Sequence, residues 1–156
     1  MKVVVQRVTR AAVRIDGESV GSIGSGMLLL LGVMKGDGEA QAQRLAERVA
    51  RFRFFADSAG RMNLSALEAG AGALVVSQFT LAADGRKGRR PSFERAAAAD
   101  LAEPLYLFFL HTLEALGLTC ASGRFGAKME VELVNEGPVT FLLEESPPLT
   151  PSLGAG

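Results

Sequence analysis

The chain offers few side chains for the usual catalytic devices. Among its 156 residues there is one histidine, His111, and one cysteine, Cys120. A Ser-His-Asp or Cys-His site would have to be built on His111. That residue falls among Leu107, Phe108, Leu110 and Leu113 in a helical stretch, where the pattern reads as a packed or surface position. Cys120 falls in an apolar strand segment and reads as a small core residue. No His, Cys and carboxylate spacing matches a zinc site. Glu130 and Glu132 share one face of a strand and read as its solvated side. Gly32-x-x-x-Gly36-Asp37 and Gly21-x-x-Gly24 fall short of a phosphate loop. A metal, a nucleotide cofactor and a histidine-driven nucleophile are therefore all poorly supported, and no cofactor is expected.

Two segments remain, each breaking a local rule. Ser77-Gln78-Phe79-Thr80 puts polar side chains at the end of a strongly apolar strand. Asn135-Glu136-Gly137-Pro138-Val139-Thr140 puts Gly-Pro between two strand-like runs, where Pro138 cannot donate to a ladder. Taken singly, the first also reads as a strand end fraying into a loop. The second also reads as a hairpin turn.

The elements that must carry these segments follow from periodicity. Val3-Val4-Val5 with Val8, and the alternating Ala12-Val13-Arg14-Ile15, predict strands. Asp16-Gly17 predicts a turn, with 18–23 as a returning arm. Met27 to Val33 is a continuous apolar run, as in a strand buried on both faces. Asp37 reads as the N-cap of a helix over 38–52, with Ala42, Leu45, Ala46, Val49 and Phe52 on the apolar face. Residues 73–79 predict a second buried strand. Ser92 reads as a cap for helical pieces over 93–99 and 104–116, with Pro104 opening the second piece and Gly117 ending it. Strands are expected over 118–121, 129–134 and 139–143. The pattern is an α+β domain over 1–145, with mixed, barrel-like β layers and helices packed on one side. The proline-rich tail, 146–156, is expected to be flexible.

Composition narrows the function classes. Seventeen basic residues balance seventeen acidic ones, so any RNA contact must rest on a local patch. With no Trp and one Tyr, the chain lacks the usual stacking residues of a non-catalytic RNA-binding domain. One cysteine excludes an intrachain disulfide. Gln6 and Arg7 interrupt the apolar start, so a signal peptide is not expected. The longest apolar run is too short to span a bilayer. A cytoplasmic protein with no membrane partner is the expectation.

Taken together, Ser77-Gln78-Phe79-Thr80-Leu81 and Asn135-x-Gly137-Pro138-Val139-Thr140 resemble the signature of the D-aminoacyl-tRNA deacylases. The resemblance extends to Gln6-Arg7-Val8 and to Gly123-Arg124-Phe125-Gly126-Ala127-Lys128-Met129, and covers almost the whole chain. It implies a homodimer that hydrolyses the ester joining a D-amino acid to the 3′ end of tRNA. It implies a cis peptide at Gly137-Pro138 reaching into the partner's pocket, although an X-Pro bond is trans by default. The backbone there would occupy the space an L side chain needs, so selection works by exclusion, and glycyl-tRNA is also accepted. Arg7 would gate or orient the motif; a strand-surface arginine is the equal alternative. Asn135 belongs to the same motif, and Met129 would line the pocket or pack behind it.

The chemistry suits this residue set. An aminoacyl ester is already activated, and backbone N–H groups aimed at the developing oxyanion suffice. The end of the 77–80 strand can supply them, with Phe79 and Thr80 the best candidates. Thr80 is a conceivable nucleophile, but a threonine hydroxyl without a base is weak; attack by water, assisted by the neighbouring ribose hydroxyl, is the other reading. Lys128 and the basic run Arg86, Lys87, Arg89 and Arg90 either contact phosphates of the acceptor end or are simply solvated. Competing functions are an editing module for an L-aminoacyl-tRNA, a non-catalytic RNA-binding domain, and a hydrolase of small nucleotides or esters.

Overall fold

The computed structural model describes residues 1–149. Strand β1 (Lys2–Ile15) runs antiparallel to three partners: β2 (Glu18–Ile23), β3 (Gly26–Gly32) and, along its other side, β8 (Glu130–Glu144). β3 then pairs parallel with β6 (Gly72–Ser77), and β6 parallel with β7 (Thr119–Ser122). The mixed sheet has the order β2-β1-β3-β6-β7, with β8 on β1. It curls until β2 meets β7: a Cβ added to Gly21 would stand 2.5 Å from the Ser122 carbonyl oxygen. Only a glycine allows that approach, and the sheet becomes a nearly closed barrel.

Alternation along the buried strands divides their side chains between two cores. Met27, Leu29 and Leu31 of β3, with Val3, Val5, Ala73 and Val75, face the helices. Leu28, Leu74 and Val76, with Val8, Ala11 and Val13, fill the other face. Helices α1 (Glu39–Arg51), α2 (Ala66–Ala69) and α3 (Ala99–Ala115) all pack on the first core, so they share one side of the sheet. A small hairpin, β4 (Phe55–Ala56) and β5 (Met62–Leu64), completes the fold. The α+β, barrel-like architecture expected from the sequence is the one observed.

Several local expectations are corrected. β1 is one strand, because β8 pairs with it on both sides of the polar residues that seemed to divide it. β8 is likewise one strand, with 136–139 bulging out opposite Arg7 between the pairs Gln6↔Thr140 and Val8↔Asn135. Asp37 does not cap α1. Its side chain is buried, taking the Met1 α-ammonium at 2.6 Å and the Met34 N–H at 2.7 Å. Gly38 is the N-cap, and its N–H donates to Gln41 Oε1. Residues 93–98 are not helical. Lys35 N–H donates to the Arg95 carbonyl and Ala97 N–H to the Val33 carbonyl, and a single turn, closed by Ala96 N–H to the Phe93 carbonyl at 3.0 Å, stands where a helix was expected. α3 therefore starts at Ala99, with Pro104 inside it, and Ser92 caps no helix. β6 ends at Ser77, earlier than expected.

Glu145, the last residue of the expected domain, is pinned. Its carboxylate meets Arg48 at 2.7 Å and Arg44 at 3.4 Å, and its N–H donates to the Met1 carbonyl. Most of the tail, 150–156, lies outside the described residues. Among the described residues, no helix is long and apolar enough to cross a membrane.

Candidate active site

At the C-terminal end of β6 the chain leaves the sheet abruptly. Gln78 N–H makes a last bond to the Leu31 carbonyl at 2.7 Å. Phe79–Ala82 then form a 3-10 turn, closed by Leu81 N–H to the Gln78 carbonyl at 3.2 Å. The first N–H groups of such a turn have no carbonyl within it to meet. Among the described residues, neither the Phe79 nor the Thr80 N–H is engaged.

Beside this turn lies a cavity of about 440 Å³. Ser77, Gln78 and Phe79 form one wall, Phe125 to Ala127 with Met129 and Val131 a second, and Val33, Ala97, Ala99 and Ala102 a third. No lining side chain is ionisable. Met129 is fixed by its neighbours: its sulfur accepts from the Arg124 N–H at 3.4 Å, and a Cβ on Gly123 would lie 2.7 Å from it. Tyr106, buried behind the wall, donates to the Val75 carbonyl at 2.9 Å, and burial raises its pKa.

Thr80 is exposed and does not line the cavity. Its hydroxyl accepts from Gln78 Nε2 at 2.5 Å, and no basic group bonds to it. His111 is exposed on α3, in a separate shallow depression. Cys120 has its thiol pushed up to about 11, first by burial and then by Glu114, so it is a poor nucleophile at neutral pH. Among the described residues there is no cluster of three metal-ligating side chains.

The second segment forms a separate motif. The Gly137-Pro138 bond is cis, and both residues are exposed on the bulge of β8. Asn135 ties off the bulge, accepting from the Val139 N–H at 2.9 Å and donating to Thr140 Oγ1 at 3.1 Å. Arg7 backs it from β1. The guanidinium donates to the Phe54 carbonyl at 2.8 Å and lies 3.7 Å from Glu136. None of Arg7, Asn135, Gly137 and Pro138 lines the cavity. Within one chain, then, Ser77, Gln78, Phe79 and Met129 come together, while the Gly-Pro motif stands apart.

Among the basic residues, Arg86 is held by Asp84 at 2.5 Å, and this pairing keeps the Asp84 carboxyl far below the usual range. Lys87, Arg89 and Arg90 are exposed on the same loop. Lys128 is exposed between two cavity residues, Ala127 and Met129. Sequence reasoning assigned no role to Phe125, Gly126 and Ala127, although their run carries part of the resemblance, and did not single out the small residues Val33, Ala97, Ala99 and Ala102. The first carried a signal, the glycine-flanked run before β8. The second carried none, since small apolar side chains have no chemical signature.

Residues 4–144 match the family described as D-Tyr-tRNA(Tyr) deacylase. A D-aminoacyl-tRNA deacylase of Syntrophotalea carbinolica is 58% identical over 144 residues, covering 92% of this chain and 97% of the relative. One from Escherichia coli O1:K1 / APEC is 52% identical over 144 residues, covering 92% and 99%. A solved structure described as c-Myc DNA unwinding element binding protein superposes with a TM-score of 0.90 at 37% identity, over 94% of this chain and 100% of that one. Another, of a probable eukaryotic D-amino acid tRNA deacylase, shares the fold with a TM-score of 0.81 at 17% identity, over 92% and 98%.

Proposed function

The chain belongs to the D-Tyr-tRNA(Tyr) deacylase family and hydrolyses the ester bond of D-aminoacyl-tRNA, and we propose that it does so in a cavity completed by a second copy of itself. The observation that carries this reading is the separation of the two motifs. Gly137 and Pro138 are exposed and rigidly backed, yet they do not line their own chain's cavity. An exposed, well-anchored motif of this kind is suited to entering the cavity of a symmetry-related partner, where one surface serves both subunits. The working unit is then a homodimer of the 1–145 domain, acting on aminoacyl-tRNA in the cytoplasm.

In this reading the ester carbonyl sits at the 3-10 turn, with its oxygen towards the free N–H groups of Phe79 and Thr80. Water adds to the carbonyl carbon, and the tetrahedral oxyanion is held by those two donors. Each such donor contributes on the order of 10²–10³ in rate. Collapse breaks the bond to the ribose oxygen. That oxygen leaves as a hydroxyl, taking up the proton the water gave, relayed through the neighbouring ribose hydroxyl. The products are the free amino acid and uncharged tRNA. The lining offers no protein base, so the proton travels through the substrate's own ribose hydroxyl, and Thr80 contributes its backbone rather than its hydroxyl. Ser77, Gln78 and Met129 shape the cavity. Lys128, Lys87, Arg89 and Arg90 meet acceptor-end phosphates, with Arg86 securing the loop.

The partner's Gly-Pro backbone fills the volume an L side chain would need. L-aminoacyl-tRNA is rejected by clash, whereas D-aminoacyl and glycyl esters fit. The test follows ester loss from D-tyrosyl-, L-tyrosyl- and glycyl-tRNA with purified protein. Loss is expected from the first and third only. Equal rates for D- and L-tyrosyl-tRNA, or a wholly resistant glycyl ester at high enzyme concentration, would defeat exclusion as the selective principle.

A further inference from the structure

Two aromatic rings face solvent beside the cavity, Phe79 in its wall and Phe93 against Phe79. Phe79 is 58% exposed and Phe93 is 37% exposed, with ring centroids 5.1 Å apart and planes tilted by 56°. They come from different segments, and both are firmly placed. Phe79 opens the 3-10 turn. Phe93 sits between two anchors: Asp84 and Ser92 exchange backbone hydrogen bonds at 2.8 Å, and Arg95 and Ala97 are bonded to Lys35 and Val33, just beyond β3. The same run continues into Ala97, Ala99 and Ala102, which wall the cavity. The loop closed by the Asp84–Ser92 bridge carries the exposed cations Lys87, Arg89 and Arg90.

We propose that Phe93, with Phe79, forms a platform on which the base preceding the esterified nucleotide stacks, making Phe93 a substrate-binding residue for the single-stranded 3′ end of tRNA. This rests on the placement of the ester at the Phe79 and Thr80 N–H groups. With the ester there, the nucleotide that carries it occupies the cavity mouth, and the chain leads out over the rim that Phe79 and Phe93 form. Aromatic faces accept any base, and neighbouring cations track the backbone phosphates. An exposed aromatic pair continuous with a catalytic cavity and a basic loop has both components. The platform uses phenylalanine, in a chain whose lack of Trp and scarcity of Tyr argued against stacking.

The test compares wild type, Phe93→Ala and Phe93→Tyr on two substrates, D-tyrosyl-tRNA and the 3′-O-D-tyrosyl ester of adenosine alone. Phe93→Ala is expected to raise KM for the tRNA about 5- to 150-fold. It should leave kcat unchanged, and hydrolysis of the nucleoside ester should be unaffected. Phe93→Tyr should restore KM. An equal loss on both substrates would make Phe93 a mere support for Phe79, and an unchanged KM for the tRNA would remove it from the footprint; either result overturns the platform. Wild type inactive on both substrates would instead strike the underlying reading of the site, and the platform with it.

Discussion

The Arg7 guanidinium lies 3.3 Å from the point that a Cβ on Gly137 would occupy. An arginine from the central strand thus supports the backbone of a bulge on its neighbour. β1 contributes this side chain because the β1–β8 ladder is interrupted there, leaving Arg7 without a register partner on β8. The chain therefore presents a stretch of bare backbone, Gly137 and Pro138, on a rigid base.

Arg7 should be hard to replace. Its Nη1 satisfies the Phe54 carbonyl while the rest of the guanidinium lies against the bulge. Lysine, with one compact ammonium, cannot do both. Arg7→Ala leaves that carbonyl without its donor, a loss of about 1–3 kcal/mol. We expect kcat/KM for D-tyrosyl-tRNA to fall by about tenfold or more (about 1.4 kcal/mol per tenfold). Arg7→Lys should recover only part of it. Wild-type kcat/KM in Arg7→Ala, with correct folding checked by thermal unfolding, would remove Arg7 from the positioning role.

Thr80 separates backbone from side-chain catalysis. Thr80→Ala deletes only a hydroxyl bonded to Gln78, and we expect most activity to remain. Replacing the Thr80 residue by its α-hydroxy acid turns the N–H into an ester oxygen, and the rate should fall on the order of 10²–10³. Single-turnover rates on D-tyrosyl-tRNA distinguish the two. A dead Thr80→Ala that still folds and binds tRNA would make the hydroxyl the nucleophile.

The legible parts of this molecule were those governed by short-range pattern. The run from Met27 to Val33 announced a doubly buried strand, because such a strand tolerates leucine on both faces. What stayed hidden depends on contacts distant in sequence. Gly137-Pro138 looked like a hairpin turn, and only the pairing of β8 along all of β1 makes it a bulge. Segment 93–98 was expected to be helical, but it makes one turn and is then tied to Val33 and Lys35. That same pairing brings Ala97 into the cavity wall. One local signal was simply missed. Ser65 and Glu68 form a capping box, with Ser65 Oγ accepting from the Glu68 N–H at 3.1 Å and Glu68 Oε2 from the Ser65 N–H at 2.7 Å, and they start α2.

Cys120 provides a pH test. Its thiol is raised from 9.0 to about 11 in the folded chain. A raised folded pKa stabilises the fold below the unfolded value, and that contribution is lost as pH climbs through the folded value. Thermal stability should decline between about pH 9 and pH 11, more steeply than in Cys120→Ser. Native protein should also resist iodoacetamide at pH 8 and react once unfolded, while Cys120→Ser retains activity. Fast alkylation of the native thiol at pH 8 would contradict the half-buried, neutral assignment.

The shared site makes a stoichiometric prediction. Gly137→Ala should disable the bulge: at φ +125° the new Cβ would stand 2.6 Å from Val139 Cγ2 and 3.0 Å from the Val139 nitrogen, and a non-glycine residue is strained there by about 1–3 kcal/mol. Ala127→Trp should disable the cavity by filling it from its wall. Each variant alone should be nearly inactive on D-tyrosyl-tRNA, Ala127→Trp because its cavity is filled and Gly137→Ala because the displaced bulge no longer completes the partner's cavity. Mixed in equal amounts and allowed to exchange subunits, half the dimers become hybrids. Each hybrid pairs one intact cavity with one intact bulge, so about a quarter of wild-type activity should return if the interface is two-fold symmetric. If each chain instead completed its own site, no hybrid could contain both intact parts in one chain, and the mixture would stay as inactive as its components.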